Sequence, residues 1–392
     1  MLAMKAYSKK DDIKKISDEA LALLTELIKI PTVNPPGNEI RLKPIVKKAF
    51  DDLGMTMKIV EKEKGRANFI GRIGSGKPTI GFFPHLDTVP AGDGWKTDPF
   101  TPVIKKGKMY GRGVIDSKGN FASSWAAIKL FLETHKKFKG TIYLVGCADE
   151  EMGSELGMEY LLEKGLRVDY GIVPDGGFMD QIVIGEKGVV RLLIKSFGKQ
   201  AHGSTPQDGI NAIEHIMKVL LAIQMLDLSS LSYHKRFDGI TINIGVIKGG
   251  HAANMVPAYA EAEIDIRLPL GVDKKDVVKL IRETIREYKK NNHKAKFILE
   301  ETLHHKPHIT EEDTTLISSF LMSAIELKLP MKVGTMGGIT DAKSLSLYGM
   351  QTVVHFMDDG TNVAHGANEY LLLSNFSKTV KLYCKLLEKL LL

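Results

Sequence analysis

Residues 79–95 of the chain read TIGFFPHLDTVPAGDGW, and residues 97–120 read TDPFTPVIKKGKMYGRGVIDSKGN. The run from Thr79 to Phe83 has the length and the β-rich, apolar composition of a buried parallel strand. His85 and Asp87 follow where this strand ends, and open α/β sheets place their ligands at that edge. An imidazole with a carboxylate two residues away suits a metal ligand and the group that fixes its tautomer. This stretch therefore predicts a metal site at the carboxyl edge of a sheet.

More carboxylates and a second histidine stand at the ends of other predicted strands or in loops. The candidate metal ligands are His85, Asp116, the pair Glu150 and Glu151, Asp175 and His365. Taken singly, each fits an ordinary surface or core position, but together they form a set of imidazole and carboxylate donors that suits zinc. The repeated order of strand, polar tip and helix also indicates an α/β domain with a mostly parallel sheet.

The motifs, in this order and at these spacings, resemble the two-zinc amidohydrolase family of acetylornithine deacetylase, succinyl-diaminopimelate desuccinylase, aminoacylase and carboxypeptidase G. The resemblance spans nearly the whole chain and implies two bound zinc ions, for which cobalt or manganese can substitute. It implies that Asp116 bridges the two metals and that its peptide bond to Ser117 is cis. The ligands that it assigns are His85 and Asp175 at one metal and Glu151 and His365 at the other. Glu150 would be the general base, and Asp87 would hold His85 from behind.

The pattern changes after about Lys187, where strands with one apolar face replace the strand–helix alternation. From Ala258 to Leu268, residues alternate so that Ala260, Ala262, Ile264, Ile266 and Leu268 face one way and charged residues the other, which is typical of a sheet with one buried and one solvated face. We therefore expect a catalytic domain in two parts, residues 1–187 and 303–392, with an α+β insertion over residues 188–302. In the family that the chain resembles, such an insertion acts as lid and dimerisation surface.

The resemblance also assigns residues that contact the substrate. His202, in the loop QAHGSTP, matches a lid histidine that reaches the partner subunit's active site and helps to bind the carbonyl oxygen. Arg267 lies on the solvated face of its strand, where a guanidinium can grip a carboxylate through two hydrogen bonds. Many relatives carry arginine where this chain has Lys343, and lysine keeps the charge but loses the fork. The expected substrate-binding residues are Asn254, Arg267, Gly338, Thr340 and Lys343.

Composition excludes several classes of protein. The 392 residues are 43% hydrophobic and 26% charged, which is typical of a globular protein, and the net charge is only +7. The basic residues are scattered without interleaved aromatic residues, so we expect no nucleic-acid partner. Two cysteines give no disulfide framework, and we find no apolar run of transmembrane length and no signal-peptide core. We expect a cytoplasmic protein without a membrane partner.

The sequence thus predicts a zinc-dependent hydrolase that cleaves the amide bond of an N-acyl amino acid, of the acetylornithine or succinyl-diaminopimelate kind. A carboxypeptidase or dipeptidase of the same family is the alternative, because such relatives often carry aspartate where Asp175 stands, while desuccinylases and aminoacylases often carry glutamate. A metal-free binding protein on the same fold is a third reading, against which the intact set of ligands argues. The expected assembly is a homodimer through the insertion.

Overall fold

The computed structural model describes residues 10–231 and 234–392. The helices are α1 (Lys10–Ile28), α2 (Lys43–Asp52), α3 (Lys118–Thr134), α4 (Met158–Glu163), α5 (Ala212–Gln224), α6 (Lys274–Asn291), α7 (Thr315–Glu326), α8 (Ala342–Leu347) and α9 (Leu373–Leu391). The strands are β1 (Thr56–Glu61), β2 (Ala67–Ser75), β3 (Thr79–Phe82), β4 (Val103–Lys105), β5 (Lys108–Tyr110), β6 (Gly140–Gly146), β7 (Tyr170–Val173), β8 (Gln181–Glu186), β9 (Gly188–Phe197), β10 (Thr241–Gly249), β11 (Tyr259–Leu268), β12 (Lys296–His305), β13 (His308–Ile309), β14 (Lys332–Met336), β15 (Gln351–Val354) and β16 (Tyr370–Leu372).

Packing divides the chain into two compact units. The first consists of the chain up to Ile184, Thr310–Gly334 and Thr340–Leu392, and the second of Gly185–Ile309 with Thr335–Ile339. The expected fold class, an α/β catalytic domain interrupted by an α+β insertion, is confirmed. No helix in the described ranges combines the length and the apolar character needed to cross a membrane.

The first unit is built on a sheet with the strand order β1-β2-β6-β3-β7-β15-β8, and β14 also pairs with β8. The four central strands, β6, β3, β7 and β15, run parallel, whereas β1, β2 and β8 join them through antiparallel pairs. The parallel strands are apolar along most of their length because helices cover them. Their carboxyl ends meet at one edge, where His85 follows β3, Glu150 and Glu151 follow β6, and Asp175 follows β7, while Asp116 lies in the loop between β5 and α3.

Helix α3 lies between α1 and α9 and is buried along most of its length. Small residues such as Ala122, Ser123 and Ala126 allow this close approach. At its first turn, the buried Lys118 donates from Nζ to the carbonyl oxygens of Leu27 (3.0 Å) and Ile30 (2.8 Å). The ammonium group thus satisfies carbonyls at and beyond the end of α1, where a helix leaves such groups unpaired. This contact fixes α1 against the segment that follows Asp116.

The second unit contains an antiparallel sheet with the order β10-β11-β9-β12. Helices α5 and α6 pack on it, and the predicted alternation in β11 is confirmed, since Ala260, Ala262, Ile264, Ile266 and Leu268 are all buried. Each helix begins at a side-chain cap: Asn211 accepts hydrogen bonds from Ile213 N and Glu214 N, and Asp273 from Lys275 N. Strand β13 pairs antiparallel with the end of β8 within the same unit.

Candidate metal centre

His85 is oriented from both sides of its ring. It follows β3, forms a parallel bridge with Cys147, and its side chain is only 1% exposed. Its Nδ1 lies 3.0 Å from the backbone oxygen of Asp87, which can only accept, so Nδ1 carries the proton. Nε2 faces Asp116 Oδ1 at 2.9 Å and Asp175 Oδ2 at 4.0 Å. Nε2 is therefore the ring nitrogen that points toward the two carboxylates, and it is the atom that can offer a lone pair to a metal once it loses its proton.

Asp116 stands between two histidines, with a different oxygen toward each. Oδ1 faces His85, and Oδ2 lies 3.0 Å from His365 Nε2, which in turn lies 3.2 Å from Glu151 Oε2. His85, Asp116 and Asp175 thus form one group of donors, and Asp116, Glu151 and His365 form a second. Within each group, the donor atoms all lie within 4.8 Å of one another. The peptide bond between Asp116 and Ser117 is cis, as predicted. The five side chains expected to bind metal come together, and their nitrogen and oxygen donors fit two divalent cations.

The closely spaced carboxylates of this cluster favour the binding of cations. Burial and then repulsion by Asp116 raise the pKa of Asp175 well above its ordinary value. Hydrogen bonds to Asp116 and Glu151 raise the pKa of His365 to about 10. Burial opposes protonation of His85, but its hydrogen bonds to Asp116 and Asp87 prevail and raise its pKa. Without a metal, protons therefore take the place of positive charge among the crowded carboxylates.

Glu150 lies beside this cluster, outside both groups of donor atoms that the described residues form. Its backbone N–H donates to Asp87 Oδ1, and the N–H of Glu151 donates to Asp87 Oδ2, each at 3.2 Å. Asp87 therefore holds the segment that carries Glu150 as well as His85. Burial, and then the charge of Asp175, raise the pKa of Glu150 well above its ordinary value.

A buried ion pair that the sequence analysis did not assign supports the centre from the other side. Glu369 Oε1 accepts from Ile115 N (3.0 Å) and Asp116 N (3.2 Å), while Oε2 accepts from Arg112 Nη1 (2.6 Å). Arg112 Nη2 donates to the backbone oxygen of His365 at 3.1 Å. The pair thus connects the backbones of two candidate ligands. Arg112 precedes Asp116 by four residues and Glu369 follows His365 by four, and a charged residue this close to each candidate ligand was the available signal.

The expected lid residues lie in the second unit, in two places. Strand-like pairing joins His202 to Met255, and Gly203 N donates to Asn254 O at 2.7 Å, so His202 and Asn254 are neighbours. The N–H of Ser204 donates to His202 Nδ1 at 3.2 Å, which leaves the ring proton of the neutral imidazole on Nε2.

Arg267 lies near the glycine-rich loop. Its Nε donates to Asp265 Oδ1 at 2.6 Å and its Nη1 to Gly337 O at 3.3 Å, beside Gly338.

Thr340 and Lys343 belong to the first unit, and both are buried. Thr340 Oγ1 accepts from Ala342 N at 3.1 Å, and Lys343 Nζ donates to Thr340 O at 3.3 Å. The Lys343 side chain therefore stabilises the segment from Thr340 to Lys343 in this structure. Direct contact of Lys343 with a substrate stays a prediction from the resemblance.

The chain is similar to known proteins along most of its length. The sequence profile of peptidase family M20/M25/M40 matches residues 81–389. An uncharacterized metallohydrolase of Methanocaldococcus jannaschii is 31% identical over 95% of this chain and 99% of its own length. A succinyl-diaminopimelate desuccinylase of Orientia tsutsugamushi is 27% identical over 93% of this chain and 94% of its own.

A solved structure has the same fold. It is an M20 family metallo-carboxypeptidase from Sulfolobus solfataricus, which superposes with a TM-score of 0.78 at 21% identity over 95% of this chain and 99% of its own. The profile match and the 31% identical relative, both spanning most of the chain, establish its relationship. The chain belongs to peptidase family M20/M25/M40 and is a metal-dependent amidohydrolase.

Proposed function

We propose that this enzyme hydrolyses the amide bond of an N-acyl amino acid, of the succinyl-diaminopimelate or acetylornithine kind. The observation that carries the proposal is the sharing of Asp116 by two groups of donor atoms, with Glu150 beside them. The desuccinylase relative, which covers nearly the whole chain, supports the choice of substrate class. The ions would be two zinc ions, or cobalt or manganese in their place, held by His85, Asp116, Glu151, Asp175 and His365.

Bound ions would supply Lewis acidity at the amide carbonyl and would lower the pKa of a water molecule. The chain's own residues orient the groups and move the proton. Asp87 fixes His85 with Nε2 toward the centre and holds the Glu150 backbone. Glu150 takes the proton of the attacking water on a carboxylate oxygen and passes it to the leaving nitrogen. Its raised pKa suits a group that must hold a proton between these steps.

The inserted segment, residues 188–302, would act as lid and dimerisation surface. We assign to His202 the donation of its Nε2–H to the carbonyl oxygen in the partner subunit's active site. Arg267 would bind a substrate carboxylate, with Asn254, Gly338, Thr340 and Lys343 as further binding residues. The exposed side chains of Met217 and Leu221 on α5, and of Met225 directly after it, support the dimer, because their four-residue spacing gives an apolar stripe.

Cleavage of a C-terminal residue or a dipeptide is the second candidate. Asp175 favours it, because peptidase-like members of the family often carry aspartate at this position. The two substrate classes share the amide bond and a carboxylate, so the metal centre serves either reaction.

A mass-spectrometric screen of the zinc-loaded enzyme tests the choice. It compares N-succinyl and N-acetyl amino acids with dipeptides, with Glu150→Gln as the matched inactive control. Faster release of succinate or acetate supports the proposal. Preferential release of an amino acid from peptides identifies a peptidase, and no hydrolysis of either class contradicts both candidates.

A further inference from the structure

The segment that reads PTVNPPGNE, residues 31–39, runs alongside the loop that carries His85 and Asp87. Asn34 N donates to Thr88 O at 2.9 Å, Thr88 N to Thr32 O at 3.1 Å, and Thr32 Oγ1 to Leu86 O at 2.5 Å. Two backbone hydrogen bonds and one from a side chain thus fix this segment against the loop. The pairing places the side chain of Asn34, which is 3% exposed, next to Asp87.

Asn34 donates both hydrogens of its amide group to carboxylates. Nδ2 lies 2.8 Å from Asp87 Oδ2 and 3.1 Å from Asp149 Oδ1. Ionised carboxylates only accept, so the amide must turn its NH2 group toward them. A neutral donor at this point joins two buried carboxylates without adding a charge. Burial opposes ionisation of Asp87, but hydrogen bonds from His85 and Asn34 prevail and lower its pKa.

Arg66 holds the far end of the same network. Its Nε and Nη2 donate to the two carboxylate oxygens of Glu39, each at 2.9 Å, and Nη2 also donates to Asp149 Oδ1 at 3.0 Å. Both carboxylates and the guanidinium are buried. The arginine lies against Gly37, where an added Cβ would be 2.4 Å from Arg66 Nε and where φ is 83°. Only glycine fits that turn, so the motif is shaped around this arginine.

The network ends at Asp87 and Asp149, next to the proposed base Glu150 and the candidate ligand Glu151. Asp87 accepts from the backbone N–H groups of Glu150 and Glu151, one on each oxygen, and faces His85 Nδ1. Asp149 directly precedes them and accepts from Leu156 N at 3.0 Å through its second oxygen. A rotation of Asp87 would therefore shift the base and two ligands together.

We infer that Asn34 is a positioning residue for hydrolysis, which acts with Arg66 to fix Asp87 and Asp149 and thereby the backbone of Glu150 and Glu151. This inference rests on the roles proposed above for Glu150 and Glu151. The side-chain amide of Asn34 donates to Asp87 and Asp149, neither of which belongs to the two groups of metal donors. A side chain that holds others in place in this way changes kcat and metal affinity more than KM.

The test compares Asn34→Ala with Asn375→Ala, both measured as full-length enzyme. Asn375 is also buried in the first unit, and its Nδ2 donates to Met357 O at 3.1 Å, away from this network. For Asn34→Ala we expect kcat at saturating zinc to fall about 100-fold with KM nearly unchanged, since small displacements near a reacting group have effects of this size. Zinc affinity, measured by chelator competition, should fall about 10-fold, as for other residues that orient ligands. If kcat and zinc affinity match those of Asn375→Ala, the inference is wrong.

Arg66→Lys provides a second test that does not depend on the folding of Asn34→Ala. It keeps the charge but loses the fork, so we expect a loss of kcat and of zinc affinity in the same direction. Because both residues act through Asp149, the double variant should lose less than the product of the two single losses. Unchanged kcat in Arg66→Lys, or fully independent effects, contradicts the network. Wild-type activity in Glu150→Gln would instead remove the proposed function on which the inference rests.

Discussion

Asp116 gives the centre its geometry because its two oxygens face different histidines. Oδ1 lies 2.9 Å from His85 and Oδ2 lies 3.0 Å from His365, so one side chain belongs to both groups of donors. Its backbone is held in turn by Glu369. Glu150 has a different position, beside the donors and held through its own backbone by Asp87. The residues that would bind the metals are therefore distinct from the proposed proton acceptor, Glu150, and this distinction leads to the first prediction.

Replacing Glu150 with glutamine should abolish most turnover without removing the metals. The amide cannot accept the proton of water, and loss of a general base lowers rates by about a thousandfold. Turnover and zinc content are measured on the same preparation. Equal loss of metal and activity would make Glu150 a ligand, and activity close to wild type would remove it as the base.

Metal binding should release protons and weaken as the pH falls. In the metal-free cluster, hydrogen bonds to carboxylates raise the pKa of His365 to about 10. For His85, burial is outweighed by such hydrogen bonds and the pKa is raised as well, so both shifts favour protonated rings. A ligand must lose its proton to bind metal, so zinc binding should release about two protons or more at pH 7. Calorimetric titrations in buffers of different ionisation enthalpy measure this number. Binding without proton release would show that the rings are neutral beforehand.

Sequence patterns identify residues that stand at strand ends, because the topology of a parallel sheet brings those ends together. His85, Glu151 and Asp175 could be predicted to meet for that reason, since they follow β3, β6 and β7. Asp116 follows β5, which lies outside the parallel sheet, and its place in the cluster was implied by the resemblance. The pairing of Arg112 with Glu369 could not be predicted, since residues 257 positions apart are brought together only by tertiary packing. The burial of Lys343 could not be predicted either, because lysine side chains are almost never fully buried unless they are paired.

At the scale of elements, the differences from prediction lie at boundaries. The sequence predicts a helix from about Ser154 to Lys164, between the polar residues after β6 and the strand β7, but α4 spans only Met158–Glu163. Asp149 accounts for the late start, because its backbone oxygen accepts from Ser154 N and its carboxylate from Leu156 N. These donors are therefore satisfied in a loop, and Ser154 has a φ of 71°, which a helix does not allow. Such local contacts change a boundary without changing the pattern of apolar residues.

The loop that carries His365 should depend on the Arg112–Glu369 pair. Glu369→Gln leaves a buried guanidinium without an anionic partner, which costs about 3 kcal/mol in other buried pairs. Urea unfolding of the metal-free protein measures the loss. The control is Glu326→Gln, whose half-exposed carboxylate pairs with Lys389 and should change stability by less than about 1 kcal/mol. Equal effects of the two substitutions would show that the pair contributes little.

At the scale of the whole molecule, the chain consists of two compact units, and the candidate residues are divided between them. The metal cluster lies within the first unit, while His202, Asn254 and Arg267 belong to the second. The spacing of the apolar residues predicted both fold types. Parallel strands covered by helices bury both faces and are apolar throughout, whereas half-exposed antiparallel strands bury one face and alternate. The spacing of the apolar residues does not determine whether two copies of the chain assemble, so the homodimer stays a prediction.

Subunit exchange tests that assembly. If His202 serves the neighbouring active site, mixing inactive Glu150→Gln with inactive His202→Ala should restore partial activity, since one kind of site in the mixed dimer has both residues intact. Sedimentation and native mass spectrometry verify the mixed dimers. Absence of recovery in those dimers would show that His202 acts within its own subunit, and a monomer would exclude this role altogether.

The most direct test of the metal centre is an anomalous difference map from crystals of the zinc-loaded enzyme, recorded at the zinc edge. The account predicts two peaks per chain on either side of the Asp116 carboxylate, about 3.5–4 Å apart, as in other two-metal sites. One peak should contact His85 and Asp175, and the other Glu151 and His365. A single peak, or zinc bound away from these five side chains in fully active enzyme, would contradict the account.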